Sequence, residues 1–362
     1  MAVKIGINGF GRIGRLVNRI AMKDKEIEIV GINDIVDAKI LAHLFKYDST
    51  YGVLDMDVQG SDGTVVVDGK KIPTFTEKEP NKLPWKDLGA DIVVEATGKF
   101  CSRAKAALHL ETGAKKVIIT APAKGTPADC AIVMGVNEGI YDPLKHDVID
   151  NASCTTNCFA PMVKILHEIF GIERGFMTTI HSYTADQRLI DAPHKDLRRA
   201  RAAAHSIIPT TTGAAKAIEI IIPELKGTLD AISVRVPTID ASLVDFVCTV
   251  KKETSKEEVN NAFKRASERN PRYIEYLKDE VVSCDIIGNS HSMIFDPYET
   301  KTIGNLVKVL AWYDNEYGYA SRVVDLVHYI GERLCKMDCR HDFKSCWHKL
   351  NLCLQIAQPG NL

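Results

Sequence analysis

The fold of the first half of this chain is decided by one stretch, Val3-Lys4-Ile5-Gly6-Ile7-Asn8-Gly9-Phe10-Gly11-Arg12-Ile13-Gly14. Its apolar beginning predicts a strand, and apolar residues that recur at helical spacing up to Ala21 predict a helix after it. Between the two, Gly9, Gly11 and Gly14 form the pattern G-x-G-x-x-G. Glycines in this position let a helix N-terminus approach a pyrophosphate group. The stretch therefore predicts a dinucleotide-binding unit.

A carboxylate follows the second predicted strand. That strand spans Ile27 to Ile32 and ends at Asn33-Asp34, about 20 residues beyond Gly14, where dinucleotide-binding folds carry the acid that bonds the ribose. Asp34 would accept hydrogen bonds from free ribose hydroxyls and repel a 2′-phosphate, so NAD is favoured over NADP. The alternative is a glycine-rich turn with an unrelated surface acid, and the order strand, motif, helix, strand, acid argues against it.

Strands and helices alternate through the first half, which predicts an α/β fold with a doubly wound, parallel, Rossmann-type sheet. Long alternating strands follow residue 154 and predict a second α+β catalytic domain with a large, mostly antiparallel sheet. We expect a first domain over residues 1–153, completed by a helix over about 317–334, and a second over 154–316. We predict a hairpin turning at Asp68-Gly69, helices over 38–45, 102–110, 213–222, 256–267 and 322–334, and strands over 91–95, 116–120, 131–136, 146–150, 175–181, 229–236, 243–251 and 305–313.

The composition is that of an ordinary globular protein, with 362 residues, 45% of them hydrophobic and 26% charged, and a formal net charge of -1. This balance does not indicate nucleic-acid or membrane binding, and no apolar run approaches the roughly 20 residues of a membrane span. A strand pattern begins at Val3 without a secretory leader, so we expect a cytoplasmic protein. The ten cysteines are therefore expected to be thiols rather than a disulfide framework.

The segment 335–362 is rich in cysteine, histidine and basic residues. Its spacings lack the paired C-x-x-C of common zinc sites, so they favour a poorly ordered extension over a metal site. We expect no metal at the functional site. The potential ligands in the segment are Cys335, Cys339, His341, Cys346, His348 and Cys353.

A polar cluster, Asn151-Ala152-Ser153-Cys154-Thr155-Thr156-Asn157-Cys158, lies between a predicted strand and a segment with apolar residues at helical spacing. We expect a helix N-terminus here, whose free N–H groups and dipole would lower the pKa of the Cys154 thiol. Pro161 would then confine the regular helix to later residues or kink its first turns. The alternative is a buried, inert cysteine in a capped turn.

Four other segments carry groups that could act together with Cys154. His181 ends a predicted strand and could move protons as a base. The run from Asp196 to Arg201 is either a solvated helix face or a phosphate-recognition segment. Hydroxyls and a glycine precede a predicted helix in Ile208-Pro209-Thr210-Thr211-Thr212-Gly213, an arrangement that suits anions. Arg235 lies in an otherwise apolar strand and needs an anionic partner.

A thiol, a base and anion-binding groups beside a dinucleotide unit favour the oxidation of a phosphorylated aldehyde through a thioester. Attack by Cys154 would form a thiohemiacetal, whose hydride can pass to nicotinamide while His181 takes the hydroxyl proton. The backbone N–H of Cys154 would stabilise the oxyanion. Inorganic phosphate could then displace the acyl group.

Five motifs resemble the phosphorylating, NAD-dependent glyceraldehyde-3-phosphate dehydrogenase family. The resemblance extends from Val3 to about Leu334 and implies reversible oxidation of glyceraldehyde 3-phosphate to 1,3-bisphosphoglycerate with NAD and inorganic phosphate, as in glycolysis and gluconeogenesis. It also implies a homotetramer in which residues 182–201 pack near a neighbour's cofactor. The motifs are Asn8-Gly9-Phe10-Gly11-Arg12-Ile13-Gly14-Arg15, Ser153-Cys154-Thr155-Thr156-Asn157-Cys158, His181-Ser182-Tyr183-Thr184, Thr212-Gly213-Ala214-Ala215-Lys216 and Trp312-Tyr313-Asp314-Asn315-Glu316.

The resemblance implies roles for single residues. Cys154 would be the nucleophile and His181 the base. The substrate's own phosphate would be held by Thr184 and Arg235. The attacking phosphate would be held by Ser153, Thr155, Thr212 and Gly213, with Arg199 beside them. NAD would contact Gly9, Gly11, Arg12, Ile13, Gly14, Asp34, Lys78, Thr120 and Asn315.

Three positions depart from the family pattern. Lys78 stands where the family usually has arginine and Thr120 where it usually has serine, and both keep the donor chemistry. Ala192 replaces a commonly larger residue near the adenosine ribose of a neighbouring subunit, which leaves the strictness of the NAD preference open.

Two rival functions remain. A sister dehydrogenase that acts on erythrose 4-phosphate would release its product by hydrolysis, and the intact Thr155, Arg199 and Thr212-Gly213 argue against it. A non-catalytic NAD-binding scaffold would be expected to lack Cys154 or His181, and both are present.

Overall fold

A computed structural model describes residues 2–341 of the chain and the side chains of residues 2–336. The predictions for Cys346, His348 and Cys353 lie outside the described residues. Cys335 is an exposed free thiol near the end of the last helix.

The first half of the described chain forms a nine-stranded sheet flanked by helices. Its strand order is β10-β11-β9-β8-β1-β2-β7-β6-β5, with all pairs from β10 to β7 parallel and β6 and β5 added antiparallel; β3 and β4 pair separately. The elements are β1 Val3–Asn8, α1 Arg12–Ala21, β2 Ile27–Asn33, α2 Ala38–Lys46, β3 Tyr47–Asp48, β4 Gly52–Val53, β5 Val58–Ser61, β6 Thr64–Val67, β7 Lys70–Phe75, α3 Trp85–Leu88, β8 Ile92–Glu95, α4 Arg103–Ala106, α5 Leu108–Glu111, β9 Lys116–Ile119, β10 Cys130–Ala131 and β11 Val148–Asp150.

The parallel register aligns the carboxyl ends of five strands. Asn33, Asn8, Glu95, Ile119 and Asp150 are successive partners across β2, β1, β8, β9 and β11. The loops that follow these residues therefore meet at one edge of the sheet, where open α/β sheets bind ligands.

The second half forms a seven-stranded sheet in the described chain, with order β13-β14-β12-β15-β18-β17-β16. Only the pairs β12–β14 and β16–β17 among its named strands are parallel. The elements are α6 Cys154–Phe170, β12 Ile172–Ser182, β13 Ile208–Thr211, α7 Ala214–Ile221, β14 Leu229–Val236, β15 Ser242–Val250, α8 Lys256–Arg269, β16 Ile274–Tyr276, α9 Ser283–Ile286, β17 Met293–Ile303, β18 Leu306–Tyr313 and α10 Tyr317–His341.

The two sheets have separate apolar cores, and both cores reach the side chain of Cys154. Apolar residues of α10 join the core of the first sheet, together with α1 and β1. Helix α6 packs into the core of the second sheet, together with α7, α8 and β15. The Cys154 side chain is partly buried and packs against both cores.

Several predicted elements differ from the observed ones. The predicted helix over 102–110 is two short helices, α4 and α5. The predicted strand over 131–136 stops at Ala131, because the Asn137 side chain accepts from the N–H of Val133 (2.8 Å) and donates to the carbonyl of Ala131 (2.9 Å). Strand β17 was not predicted, and Pro297 interrupts its pattern where the register with β18 shifts. None of the helices in the described chain is long and apolar enough to cross a membrane.

Candidate active site

Cys154 is the first residue of α6, so the predicted helix N-terminus is present. Ser153 caps it, its hydroxyl accepting from the N–H of Thr156 at 3.1 Å. Pro161 lies inside the helix, so the alternative that it confines the regular helix to later residues is wrong. Because proline has no N–H, it removes one backbone hydrogen bond inside the helix, but the first turn at Cys154 forms without that bond.

The turn before Cys154 has a strained backbone. Ala152 has φ 56°, in the left-handed region that a non-glycine residue rarely adopts. Its N–H donates to Asp150 Oδ1 (2.5 Å), and its carbonyl accepts from the Tyr319 hydroxyl (3.0 Å). Burial raises the pKa of Asp150 to about 6, against the two N–H donors that hold its charge. These contacts fix the backbone conformation directly before Cys154 and so the direction in which its side chain projects.

The Cys154 thiol faces His181, which lies near the end of β12. Cys154 Sγ and His181 Nε2 are 3.5 Å apart, within the range of a sulfur hydrogen bond. His181 Nδ1 lies 2.7 Å from the carbonyl of Ser182. Because a carbonyl only accepts and this contact is the shortest that Nδ1 makes, it favours the proton on Nδ1 and leaves Nε2 as the acceptor for the thiol; Arg235 Nη1, 3.0 Å from Nδ1, then donates to the Ser182 carbonyl instead. The pair is therefore arranged for proton transfer from sulfur to nitrogen.

The ionisation of this pair differs from the sequence expectation. Burial raises the pKa of Cys154, although the charge of Arg235 and the N–H of Thr155 act in the opposite direction. The prediction of a lowered pKa is therefore wrong for this chain without ligands, since desolvation outweighs the helix terminus. Burial and Arg235 lower the pKa of His181 to about 3. A neutral imidazole has a lone pair on Nε2 that can accept the thiol proton, although burial makes it a weak base and the thiol a weak acid in this state.

Tyr313, at the end of β18, links the helix that carries Cys154 to the strand that carries His181. Its buried hydroxyl lies 2.9 Å from Thr155 Oγ1 on α6 and 2.9 Å from Thr179 Oγ1 on β12. Its ring meets the His181 ring edge-on, with the centroids 6.0 Å apart. Sequence reasoning gave Tyr313 no role, and its alternation on an amphipathic strand is typical of any core residue.

Arg235 lies beside His181 because β14 pairs with β12 in the register His181↔Arg235. Its Nη1 is 3.0 Å from His181 Nδ1 and 3.1 Å from the Ser182 carbonyl. No carboxylate forms an ion pair with Arg235 within the part of the chain that the structure describes, and Arg235 Nε has no hydrogen-bond partner there. Thr184 follows two residues after β12, where its N–H donates to Gln187 Oε1 (3.2 Å). An unpaired guanidinium at this position can bind an anion.

The second predicted anion cluster is built on turns. The Asp196 carboxylate accepts from the N–H groups of Arg198 (2.9 Å) and Arg199 (3.4 Å), so the alternative of a helix face for this run is wrong. Arg199 forms an ion pair with Asp186 and donates to Thr210 Oγ1 (3.0 Å).

Thr212 and Gly213 stand at the N-terminus of α7, which packs against α6. Gly213 precedes the helix, and the Thr212 hydroxyl accepts from the N–H of Ala214 at 3.3 Å. The free N–H groups of this first turn, with the hydroxyl, suit an anion.

The glycine motif fits a dinucleotide. A Cβ on Gly14 would lie 2.1 Å from the Gly9 carbonyl oxygen, and one on Gly9 would lie 2.6 Å from the N of Thr97. Gly11 has no atom within 4 Å of its Cβ position, so the helix N-terminus there is open to a ligand. Asp34 follows β2 and accepts from the N–H of Phe10 with one oxygen (2.7 Å).

The other predicted cofactor residues lie around the same edge. Asn315 Oδ1 accepts from the hydroxyls of Ser182 (2.8 Å) and Ser242 (2.6 Å), which turns its amide nitrogen away from them. Thr120 follows β9 and donates to the carbonyl of Glu95 (3.1 Å). Arg12 is paired with Asp48 (2.7 Å) and Glu316, Ile13 is partly buried, and Lys78 is exposed.

Comparison with known proteins decides the family. Residues 3–103 match the family model for the NAD binding domain of glyceraldehyde 3-phosphate dehydrogenase, and residues 153–315 match the model for its C-terminal domain. The glyceraldehyde-3-phosphate dehydrogenase of Geobacillus stearothermophilus is 57% identical over 335 residues, which are 92% of this chain and 99% of the relative. The chain belongs to the glyceraldehyde-3-phosphate dehydrogenase family. The Thermotoga maritima enzyme of the same name is 58% identical over 338 residues, and glyceraldehyde-3-phosphate dehydrogenase 1 of Bacillus subtilis is 55% identical over 335, each with 92% of this chain and 99% of the relative covered.

Membership of the glyceraldehyde-3-phosphate dehydrogenase family confirms four predictions. The family itself, the two-part α/β fold class, the NAD cofactor and the NAD-dependent oxidoreductase class all agree with the matched domains and relatives. The roles of single residues in a glyceraldehyde-3-phosphate dehydrogenase site stay predictions, supported by the geometry described above.

Proposed function

We propose that this chain catalyses the reversible, NAD-dependent oxidative phosphorylation of glyceraldehyde 3-phosphate to 1,3-bisphosphoglycerate, as a step of glycolysis and gluconeogenesis. The observation that carries the proposal is the 3.5 Å approach of Cys154 Sγ to His181 Nε2 at the edge of the sheet that carries the glycine motif. An arginine without a carboxylate partner beside His181 supports a phosphorylated substrate.

In the first step His181 Nε2 accepts the thiol proton while Cys154 Sγ forms a bond to the aldehyde carbon. The N–H of Cys154, at the open end of α6, is in place to stabilise the developing oxyanion, a contribution of about 3 kcal/mol in other enzymes. His181 returns the proton to that oxygen, which completes a thiohemiacetal on Cys154. The Nδ1 bond to Ser182 keeps the imidazole in the tautomer that this transfer needs.

In the second step His181 Nε2 takes the hydroxyl proton back as the carbon is oxidised to a thioester. NAD, when bound, supplies the hydride acceptor. Asp34, the glycine motif and Asn315 would hold it at the sheet edge. His181 is neutral before this step, so its Nε2 is free to accept the proton, and because burial and Arg235 disfavour the imidazolium that forms, its proton is readily released in the next step.

In the third step an oxygen of inorganic phosphate attacks the thioester carbon, the C–S bond breaks, and the Cys154 sulfur regains a proton from His181. We assign the attacking phosphate to Ser153, Thr155, Thr212 and Gly213 with Arg199 nearby, and the substrate's phosphate to Thr184 and Arg235. Helix α7 packs against α6, which supports a site shared by their N-terminal turns.

The proposal extends to the organisation of the protein. We infer a first domain over residues 1–153, completed by a helix over about 317–334, and a second over 154–316. The participation of α10 side chains in the core of the first sheet supports this division. We also infer a cytoplasmic homotetramer, for which the exposed side chains of Leu189, Ile190 and Leu197 in the segment 182–201 supply apolar surface.

The test is the initial rate of NAD reduction with glyceraldehyde 3-phosphate, with and without inorganic phosphate, for the wild type and Cys154→Ala. We expect phosphate-dependent activity that the substitution abolishes. Activity indifferent to phosphate, with erythrose 4-phosphate preferred, would favour the sister dehydrogenase. NAD binding without any turnover would favour a non-catalytic scaffold.

A further inference from the structure

Five polar side chains form a connected, buried cluster directly beneath the cofactor edge, which we call the Glu95 network: Asn8, Asn33, Trp85, Glu95 and His109. Each is at most 4% exposed. The proposed mechanism uses none of them, and the motif analysis did not single them out as site residues. A charged carboxylate in such a position is costly unless it is hydrogen-bonded.

The directions of the hydrogen bonds in the network follow from the groups that can only donate. Trp85 Nε1 can only donate, and it lies 2.9 Å from His109 Nδ1. Nδ1 is therefore an acceptor, and the imidazole proton sits on Nε2, 3.1 Å from Glu95 Oε2. The same oxygen accepts from Asn8 Nδ2 at 2.5 Å.

The second oxygen of the Glu95 carboxylate accepts from Thr97. The N–H of Thr97 lies 2.8 Å from Oε1, and the Thr97 hydroxyl also donates to it. Glu95 thus accepts from donors on both oxygens, from Asn8 and His109 on one and from Thr97 on the other. Each of these bonds has a fixed direction, which holds the carboxylate in one orientation.

The network reaches the loops to which we assign the cofactor. Asn33 Nδ2 donates to Asn8 Oδ1 (2.7 Å) and to the carbonyl of Glu77 (2.9 Å), and Asn33 Oδ1 accepts from the N–H of Glu77 (2.9 Å). Glu77 precedes Lys78. The Glu95 carbonyl accepts from the N–H (3.0 Å) and hydroxyl (3.1 Å) of Thr120.

The glycine motif is attached to the same network. The N–H of Gly9 donates to the carbonyl of Asn33 (2.8 Å), and the N–H of Ala96 donates to the carbonyl of Asn8 (2.7 Å). Four loops, which begin at residues 9, 76, 96 and 120, are thereby hydrogen-bonded to residues of the network. The loops at 76 and 96 are bonded to the side chains of Asn33 and Glu95, and the other two to backbone carbonyls.

We propose that the Glu95 network is a positioning device for NAD, which holds these four loops in the arrangement that binds the cofactor before the cofactor arrives. The inference rests on the cofactor assignment of the proposed function. An apolar cluster of the same volume would serve the core equally well, whereas only directional bonds fix loops relative to one another. Removal of the outer partners that orient metal ligands costs about 10- to 100-fold in affinity or activity, and we expect a cost of the same order for outer partners of a cofactor site.

The experiment compares Glu95→Gln, Trp85→Phe and a control, Val117→Ala, with the wild type. Glutamine keeps the shape of Glu95 but replaces one accepting oxygen by an N–H₂ group, which then faces two other donors. Phenylalanine removes the donor to His109 and keeps an aromatic ring. Val117 is fully buried in the neighbouring strand β9, outside the network, so its truncation lowers stability alone. For each protein we would measure the Kd of NAD by calorimetry, kcat and KM for NAD, and the Tm.

We expect the Kd and KM for NAD to rise about tenfold in Glu95→Gln and less in Trp85→Phe, with kcat at saturating NAD within about twofold of wild type. Val117→Ala should lower the Tm and leave the Kd unchanged. In the protein without NAD, amide exchange at Glu77 and Thr97 should be faster in Glu95→Gln than in the control.

The proposal is overturned if Kd stays within about twofold of wild type in both network variants, or if the control raises it equally for the same loss of Tm. Should Glu95→Gln fail to fold, Trp85→Phe decides by the same criterion. Neither Kd nor amide exchange requires turnover, so an error in the proposed reaction would appear separately, as a failure of the phosphate-dependence assay.

Discussion

Replacing Asp240 by asparagine should stabilise the protein at neutral and alkaline pH. Asp240 is fully buried, and its Oδ2 lies 2.6 Å from the Tyr51 hydroxyl. The same hydroxyl lies 2.9 Å from Asp314 Oδ1. Asp314 is held as an anion by the N–H groups of Gly288 (2.7 Å), Glu316 (2.9 Å) and Tyr317 (2.7 Å). Asp240 has only the N–H of Ala241 as a backbone donor, so of the two carboxyl groups Asp240 carries the proton and Tyr51 donates to Asp314.

The expected gain in stability follows from the pKa of Asp240. Burial, followed by the charge of Asp314, raises the pKa of Asp240 from 3.8 to about 7. The folded state therefore retains a proton that the unfolded chain has released, and stability falls as the pH rises from about 4 to about 7. A pKa of about 7 in place of 3.8 lowers the free energy of unfolding above pH 7 by at most about 4 kcal/mol. Asparagine keeps the neutral shape of the protonated acid and has no proton to lose.

The assay is urea unfolding at pH 5 and pH 8, with Asp55→Asn as a control at an exposed aspartate in the first half of the chain. We expect Asp240→Asn to gain stability over wild type, and the gain to be larger at pH 8 by up to about 4 kcal/mol. An equal effect at both pH values, or destabilisation that grows with pH, would refute the assignment of the proton.

Three further substitutions test the site. Tyr313→Phe removes both threonine hydrogen bonds and should lower kcat about tenfold with a smaller change in KM, measured by steady-state kinetics beside Thr249→Val as a buried control. Arg235→Leu should raise the KM for glyceraldehyde 3-phosphate at least about tenfold, because a charge-assisted bond is lost; an unchanged KM would exclude Arg235 from the phosphate site. Gly14→Ala places a Cβ 2.1 Å from the Gly9 oxygen and should abolish NAD binding in a calorimetric titration; wild-type affinity would contradict the close approach of α1.

Local patterns were enough to predict the elements that position the site. The glycine motif, Asp34 and the helix that begins at Cys154 depend on neighbours within a few residues, where spacing and turn chemistry act. The strand predicted over 131–136 is shorter in the structure and ends at Ala131, because the Asn137 side chain hydrogen-bonds to the backbone groups that would have continued it.

The Glu95 network shows what a local pattern does not reveal. The glycine at position 6, inside β1, is a signal of the network, because a Cβ on Gly6 would lie 2.5 Å from the Trp85 ring. The ring that requires this glycine is more than 50 positions away in the chain. Only the parallel register of β1, β2 and β8 brings Asn8, Asn33 and Glu95 into one row.

The sequence by itself determined the chemical groups of this protein and the order of its elements, since those follow from short-range periodicity and residue type. The tertiary structure decided how these groups ionise and which of them meet. Cys154 stands at a helix N-terminus as predicted, yet burial between two cores raises its pKa, because desolvation depends on everything packed around the thiol. Likewise, His181 meets Arg235 only through the pairing of β12 with β14, a long-range register that no local pattern encodes.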